Sequence, residues 1–258
     1  MSSGYKIVGA GTGTPVVCLH SSMSSHRQFS LFAMSMADER KLIMIDLYGY
    51  GSAPSAPGER PHSLQLEVER VLGILRSLDV VHFDLVGHSF GGACALLLAA
   101  QHSARVGKLA LYEPVAFHLL PASHPVRNEV IALAGQMHGV DAAQAAGVFL
   151  DYWNGTGFFA QLPEKIRQQF TAQVAKVELD FEALIGSSLT ASDLRTFHVP
   201  TLLLCGRQSQ PSAHAVAEQI NAHAPAVELR WIDAGHMAPV THPDLVNPHW
   251  QAFLQSEQ

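Results

Sequence analysis

The chain has 258 residues, 48% of them hydrophobic and 15% charged, which is enough material for one large domain with a sizeable buried core. The formal net charge is −6 and the 16 lysines and arginines are scattered, so no face for nucleic acid or an anionic membrane is implied. No apolar run can span a bilayer, Met1-Ser2-Ser3-Gly4-Tyr5-Lys6 lacks the pattern of a secretory leader, and Cys18, Cys94 and Cys205 sit singly in apolar segments, so a soluble cytoplasmic protein is expected.

Along the chain, Gly9-Ala10-Gly11-Thr12-Gly13 superficially resembles a dinucleotide-binding loop. Pro15 and a strand follow it where a helix is required, which predicts a hairpin turn instead. Val16-Val17-Cys18-Leu19 and Leu42-Ile43-Met44-Ile45 are short apolar runs bounded by turn residues and predict buried parallel strands. Between them, His20 and the serines after it either serve chemistry or cap a helix beginning near Ser24. Ser63 to Leu78 predicts a helix with Leu64, Val68, Val71, Leu72 and Leu75 on one face. Further strands are expected at 81–86, 108–112, 201–205 and 228–232, and strands alternating with helices imply a parallel sheet covered on both faces.

Residues 116–198 break the alternation. They carry helical patterns, the interruption Asn154-Gly155-Thr156-Gly157 and no convincing strand, so an inserted helical cap is expected over a core formed by 1–115 and 199–258. Within it, Phe149, Tyr152, Trp153, Phe158 and Phe159 are concentrated locally, and most are expected to form the core of the cap.

The chemistry centres on Gly87-His88-Ser89-Phe90-Gly91-Gly92, placed between an apolar strand and the apolar run 93–100. A serine hydroxyl must be exposed, aimed and deprotonated before it attacks, and a sharp strand-to-helix turn accomplishes the first two. Gly87 and Gly91 allow the close backbone approach such a turn needs. A base is also required. Among 15 histidines, His236 stands on the loop Asp233-Ala234-Gly235-His236-Met237 after the last predicted strand, where it reaches the same sheet edge. His88 adjoins Ser89 but points away from its hydroxyl, which predicts a structural role. An oxyanion needs backbone donors, expected from Phe90 and from Ser22, two residues past His20. No H-E-x-x-H or paired-cysteine metal pattern occurs, and no metal or organic cofactor is implied.

His20-Ser21-Ser22, Asp46-Leu47-Tyr48-Gly49-Tyr50-Gly51-Ser52, Gly87 to Gly92 and Gly235-His236 together resemble the α/β-hydrolase superfamily in order and spacing. The resemblance implies an α/β-hydrolase fold with an eight-stranded, mostly parallel sheet, helices on both faces, a helical lid and a Ser-His-acid triad. Asp46 and the Gly49/Gly51 turn match a mainly structural motif of that superfamily.

Two departures stand out. The usual His-Gly step is His20-Ser21, which can reshape the oxyanion loop. The acid's usual place, three residues after a glycine, is Ser209 in Gly206-Arg207-Gln208-Ser209. Some α/β-hydrolases carry the acid one strand after the nucleophile, which here points to Glu113 in Leu111-Tyr112-Glu113-Pro114; Asp193 is the weaker candidate. The expected function is cleavage of a small carboxylic ester or related acyl compound through an acyl-enzyme on Ser89, with His236 as base and Glu113 as acid. Carbon–carbon bond hydrolysis, lactonase and thioesterase activities remain open, because fold and triad do not determine substrate. A non-catalytic ligand-binding role is the alternative that Ser209 keeps alive. The partner expected is a small acyl substrate.

Overall fold

Successive side chains of a strand point to opposite faces, and here both faces are apolar. The computed structural model describes residues 4–58 and 61–256; Met1 to Ser3, the start of the stretch compared with a secretory leader above, lie outside that range. Its strands are β1 (Tyr5–Val8), β2 (Val16–Leu19), β3 (Leu42–Ile45), β4 (Phe83–His88), β5 (Val106–Tyr112), β6 (Thr201–Gly206) and β7 (Val227–Ile232). They form one sheet in the order β1-β3-β2-β4-β5-β6-β7. β1 runs antiparallel to β3, with Tyr5 opposite Ile45, and every other pairing is parallel.

Helices α1 (Ser30–Met36) and α11 (Pro243–Gln255) pack on the face carrying Val16, Cys18, Leu42, Met44, Val86, Ala110, Tyr112, Leu202 and Leu204. On the other face, Val17, Leu19, Ile43, Ile45, Leu85, Leu111 and Leu203 meet α2 (Leu64–Ser77), α3 (Ser89–Gln101) and α9 (Pro211–His223). Ser63 caps α2 by accepting from the Leu66 N–H, and all five residues read as its apolar face are buried. Between β5 and β6 the chain forms α4 (Pro125–Met137), α5 (Ala142–Asn154), α6 (Phe158–Gln161), α7 (Glu164–Thr171) and α8 (Val174–Gly186), with no strand among the described residues. α10 (Ala238–Thr241) follows β7. Among the described residues no helix is long and apolar enough to cross a membrane.

Two expectations need correction. The sheet has seven strands among the described residues, not eight. The glycine-rich segment after β1 is not a hairpin turn, because β1 and β2 are separated by β3. The segment crosses the chain that leads from α1 into β3. A Cβ on Gly9, which has φ 91°, would lie 2.2 Å from the Arg40 carbonyl oxygen, and one on Gly11 would lie 2.0 Å from Glu39 carbon. Close passage demands the glycines here, and that composition looks the same as a turn's.

Candidate active site

Ser89 sits where β4 becomes α3 and holds φ 53°. A side chain at that φ is strained, and the strain persists because the surroundings enforce it. A Cβ on Gly87 would lie 2.7 Å from Gly92 Cα, and one on Gly91 would lie 2.3 Å from the Leu19 carbonyl oxygen and 2.4 Å from that of His20. Small residues are therefore required on both sides of the serine. Met23 and Glu113 also carry positive φ, at 56° and 42°, so three of the four such non-glycine residues described lie at this site.

The Ser89 hydroxyl donates to His236 Nε2 at 2.9 Å. His236 Nδ1–H donates to Glu113 Oε2 at 2.6 Å, which leaves the Nε2 lone pair facing the serine. Glu113 directly follows β5 and is fully buried; its other oxygen accepts from the Gly206 N–H at 2.6 Å and from the Ser209 hydroxyl at 2.5 Å. The hydroxyl at the usual acid position thus serves the carboxylate that stands elsewhere. Asp193 is remote from this group: it accepts from the Thr190 N–H and hydroxyl at an exposed short helix. Such an arrangement can take a proton from a serine hydroxyl as it attacks and return it to a leaving group.

Further contacts hold the histidine loop. Tyr112 donates its hydroxyl to the Gly235 carbonyl at 2.8 Å, and His88 Nε2–H donates to the His236 carbonyl at 2.9 Å. His88 Nδ1 accepts from the Gln28 amide at 3.1 Å, and Gln28 Oε1 accepts both the Ser21 N–H at 3.1 Å and its hydroxyl at 3.0 Å. Complete burial holds His88 well below the ordinary histidine pKa, helped by nearby His236, so it stays neutral and acts as a strut. The Trp153 indole stacks on His236 with centroids 3.8 Å apart and planes 23° apart.

The Gly91 N–H donates to the His20 carbonyl at 3.1 Å, which sets the elbow beside the His20–Ser22 loop. Ser22 lines the cavity beside Ser89, Phe90 follows Ser89 in the chain, and among the described residues neither amide donates to a backbone acceptor outside the regular elements. Ser21 takes no positive φ, so the absence of glycine there is accommodated without strain. His20 anchors the loop: its Nδ1–H donates to the Ser21 carbonyl at 2.7 Å and its Nε2 accepts the Leu47 N–H at 3.0 Å. Burial pushes it down to about 4. Asp46 accepts from the His26 and Ser52 amides at 2.7 and 2.8 Å, in keeping with a structural role.

A cavity of about 240 Å³ opens above Ser89 and His236, lined by Ser22, Met23, Phe149, Trp153, Phe158 and Val240 among others. Three of the five clustered aromatics line it, and Tyr152 and Phe159 do not, which corrects the expectation that most would be cap core. Phe149 and Trp153 are four residues apart on α5, so one helix face presents both. Gln28 and Tyr112 had no local sequence signal, because each finds its partner far along the chain, and the Lys176–Asp180 pair, four residues apart on α8, gave no sign that it is buried or that Asp180 reaches Ser22.

A parallel sheet with a nucleophile elbow, and a serine, histidine and carboxylate joined at its C-terminal edge, is the architecture of the α/β hydrolases. Residues 16–249 match the model of the Alpha/beta hydrolase family, and the chain belongs to that family. It is 32% identical over 105 residues to a 2-hydroxymuconate semialdehyde hydrolase of Pseudomonas sp. (strain CF600), covering 40% of this chain and 37% of that one. It is 33% identical over 108 residues to a 2-hydroxy-6-oxo-2,4-heptadienoate hydrolase of Pseudomonas putida, covering 39% and 37%. The match thus spans well under half the length of these curated relatives. The crystal structure of the enol-lactonase from Burkholderia xenovorans LB400 superposes with a TM-score of 0.78 at 19% identity, covering 98% of this chain and 96% of that one, and shares the fold.

Proposed function

We propose that the protein is a serine hydrolase that cleaves a small, uncharged carboxylic ester or related acyl compound through an acyl-enzyme on Ser89. The observation that carries the proposal is the hydrogen-bonded line from Ser89 Oγ through His236 to Glu113 at the floor of an apolar cavity. Ser89 attacks the carbonyl carbon while His236 Nε2 takes its proton. Glu113 holds the tautomer and stabilises the imidazolium, and the Ser22 and Phe90 N–H groups receive the oxyanion. The imidazolium then protonates the leaving alcohol, and His236 activates water to release the acid. Residues 116–198 act as the cap, supplying Phe149, Trp153, Phe158 and Phe170 to the cavity wall.

Substrate charge separates this reading from carbon–carbon bond hydrolysis. The heptadienoate named for one relative is a carboxylate. None of the residues lining this cavity is a lysine or arginine, so a buried carboxylate would meet no counter-charge. The cavity's small volume favours short acyl groups. The relatives keep the carbon–carbon reading as the second one, on the same residues. A panel of p-nitrophenyl acetate, butyrate and octanoate beside a carboxylate-bearing dienoate decides between them. Turnover of the short neutral esters, lost in Ser89→Ala, is expected. Turnover of the dienoate alone would replace the ester reading with the second, and no turnover of any substrate would favour a binding role.

A further inference from the structure

The helix α8 carries a charged pair, Lys176 and Asp180, into the interior beneath the cavity; Lys176 is 7% exposed and Asp180 1%. The Lys176 ammonium bonds Asp180 Oδ1 and lies 3.2 Å from Glu67 Oε1 on α2. Glu67 also meets His62 Nε2 at 3.3 Å and accepts the Tyr48 N–H at 3.1 Å. Ligand atoms of His62, Glu67 and Asp180 lie within 4.8 Å of one another, as a metal site would require. Lys176 already supplies the positive charge between the two carboxylates. Burial alone would push its pKa down, but Asp180 and Glu67 outweigh burial and hold it above the ordinary lysine value.

What this cluster touches next matters more. Asp180 Oδ2 accepts the Ser22 hydroxyl at 2.6 Å and the Tyr50 hydroxyl at 2.6 Å. Lys176 Nζ stands 4.7 Å from the Phe90 ring centroid and 5.0 Å from that of Tyr50. One helix of the inserted segment therefore grips both residues whose amides flank Ser89, each by its side chain. Burying such ions costs several kcal/mol per charge, and apolar residues would stabilise the same interface as well. Simple packing is a poor explanation for their presence.

We propose that Asp180 and Lys176 are positioning residues of the oxyanion site, Asp180 holding Ser22 by its hydroxyl and Lys176 bracing Phe90, so that both N–H groups point at the reacting carbonyl oxygen only when α8 is seated. The inference rests on the hydrolase reading and deepens it. It makes the cap a participant in transition-state stabilisation beyond its part in enclosing the substrate. A donor displaced by a fraction of an ångström loses much of its effect on a developing charge and little of its effect on ground-state binding.

The test compares Ser22→Ala, Asp180→Asn and the double variant with the wild type, using p-nitrophenyl butyrate kinetics and the Kd of a butyl trifluoromethyl ketone, whose serine adduct carries an oxyanion. Ser22→Ala keeps the backbone N–H and every ion pair, so it stays informative if Asp180→Asn folds poorly. Each single change is expected to lower kcat by about 10–100-fold with KM within about twofold, and to weaken the ketone in proportion. The double variant should be no worse than the poorer single one, because Asp180 acts through Ser22. Wild-type kcat in Ser22→Ala, or losses that multiply in the double variant, would overturn the proposal while leaving the hydrolase reading intact. A wild type that neither turns over the ester nor reacts with a fluorophosphonate would overturn both.

Discussion

Glu113→Gln is the most demanding single perturbation of the site, because both carboxylate oxygens are committed to donors. Oε2 receives His236 Nδ1–H, and Oε1 receives the Gly206 N–H and the Ser209 hydroxyl. A glutamine has one acceptor oxygen and one NH₂ donor. If its oxygen stays with Gly206, its NH₂ faces His236 Nδ1 and forces the tautomer that carries hydrogen on Nε2. That tautomer cannot accept the Ser89 proton. If its oxygen instead faces His236, two N–H donors meet at Gly206 and a buried donor goes unpaired, costing about 1–3 kcal/mol. The imidazolium loses its counter-charge in either orientation. The corresponding acid-to-amide change in a serine protease lowers kcat by about 10⁴. A loss of about 10³–10⁴, or about 4–5 kcal/mol of barrier, is therefore expected here. Glu113 does not line the cavity, so KM should change little. Single-turnover kinetics with p-nitrophenyl butyrate measures the effect, with urea unfolding as the control for stability. In a Glu113→Ala background, Ser209→Asp places a carboxylate where the hydroxyl now bonds the glutamate, and at least a tenfold recovery is expected. Retention of more than about a tenth of wild-type kcat in Glu113→Gln would refute the assignment.

Acid should loosen the His20–Ser22 loop through His20, whose pKa falls from an ordinary 6.5 to about 4 on burial. The unfolded chain binds the proton more readily, so this stabilisation is present in full above pH 6.5 and is lost as pH falls towards 4, by about 3 kcal/mol; urea unfolding of His20→Gln between pH 7.5 and 4 should show a flatter profile than wild type, and parallel profiles would count against it. Gly91→Ala drives a methyl into the Leu19 and His20 carbonyls. It should cost about 1–3 kcal/mol in thermal or urea unfolding and lower kcat at least tenfold, since the elbow and the His20–Ser22 loop must move apart; an unchanged kcat would contradict the close approach.

The sheet was legible because buried parallel strands write themselves as short apolar runs: 16–19, 42–45 and 201–205 stand within a residue of β2, β3 and β6. Ser89 was legible because it directly follows β4, and His236 because it stands on the short loop four residues past the end of β7, where local motifs specify position. Glu113 was reached through the resemblance, because some α/β-hydrolases carry the acid just after this strand and Ser209 has no charge to offer. The crossing at Gly9–Gly13 was not legible, since a tight turn and a close backbone passage both select glycine. Nor could a sequence distinguish Phe149 and Trp153 as cavity wall from cap core, because both uses need an apolar helix face. The braces were invisible for a different reason. Gln28 meets His88 across 60 residues and Asp180 meets Ser22 across 158, and no local periodicity encodes such pairs.

The central claim is that the Ser89 hydroxyl, activated by His236 and Glu113, is the nucleophile. Mapping a fluorophosphonate adduct by peptide mass spectrometry tests it most directly. The account predicts a single phosphonyl group on the peptide containing Ser89, absent in Ser89→Ala and formed far more slowly in Glu113→Gln. A folded wild-type protein that stays unlabelled, or that carries the group on another residue, would contradict it.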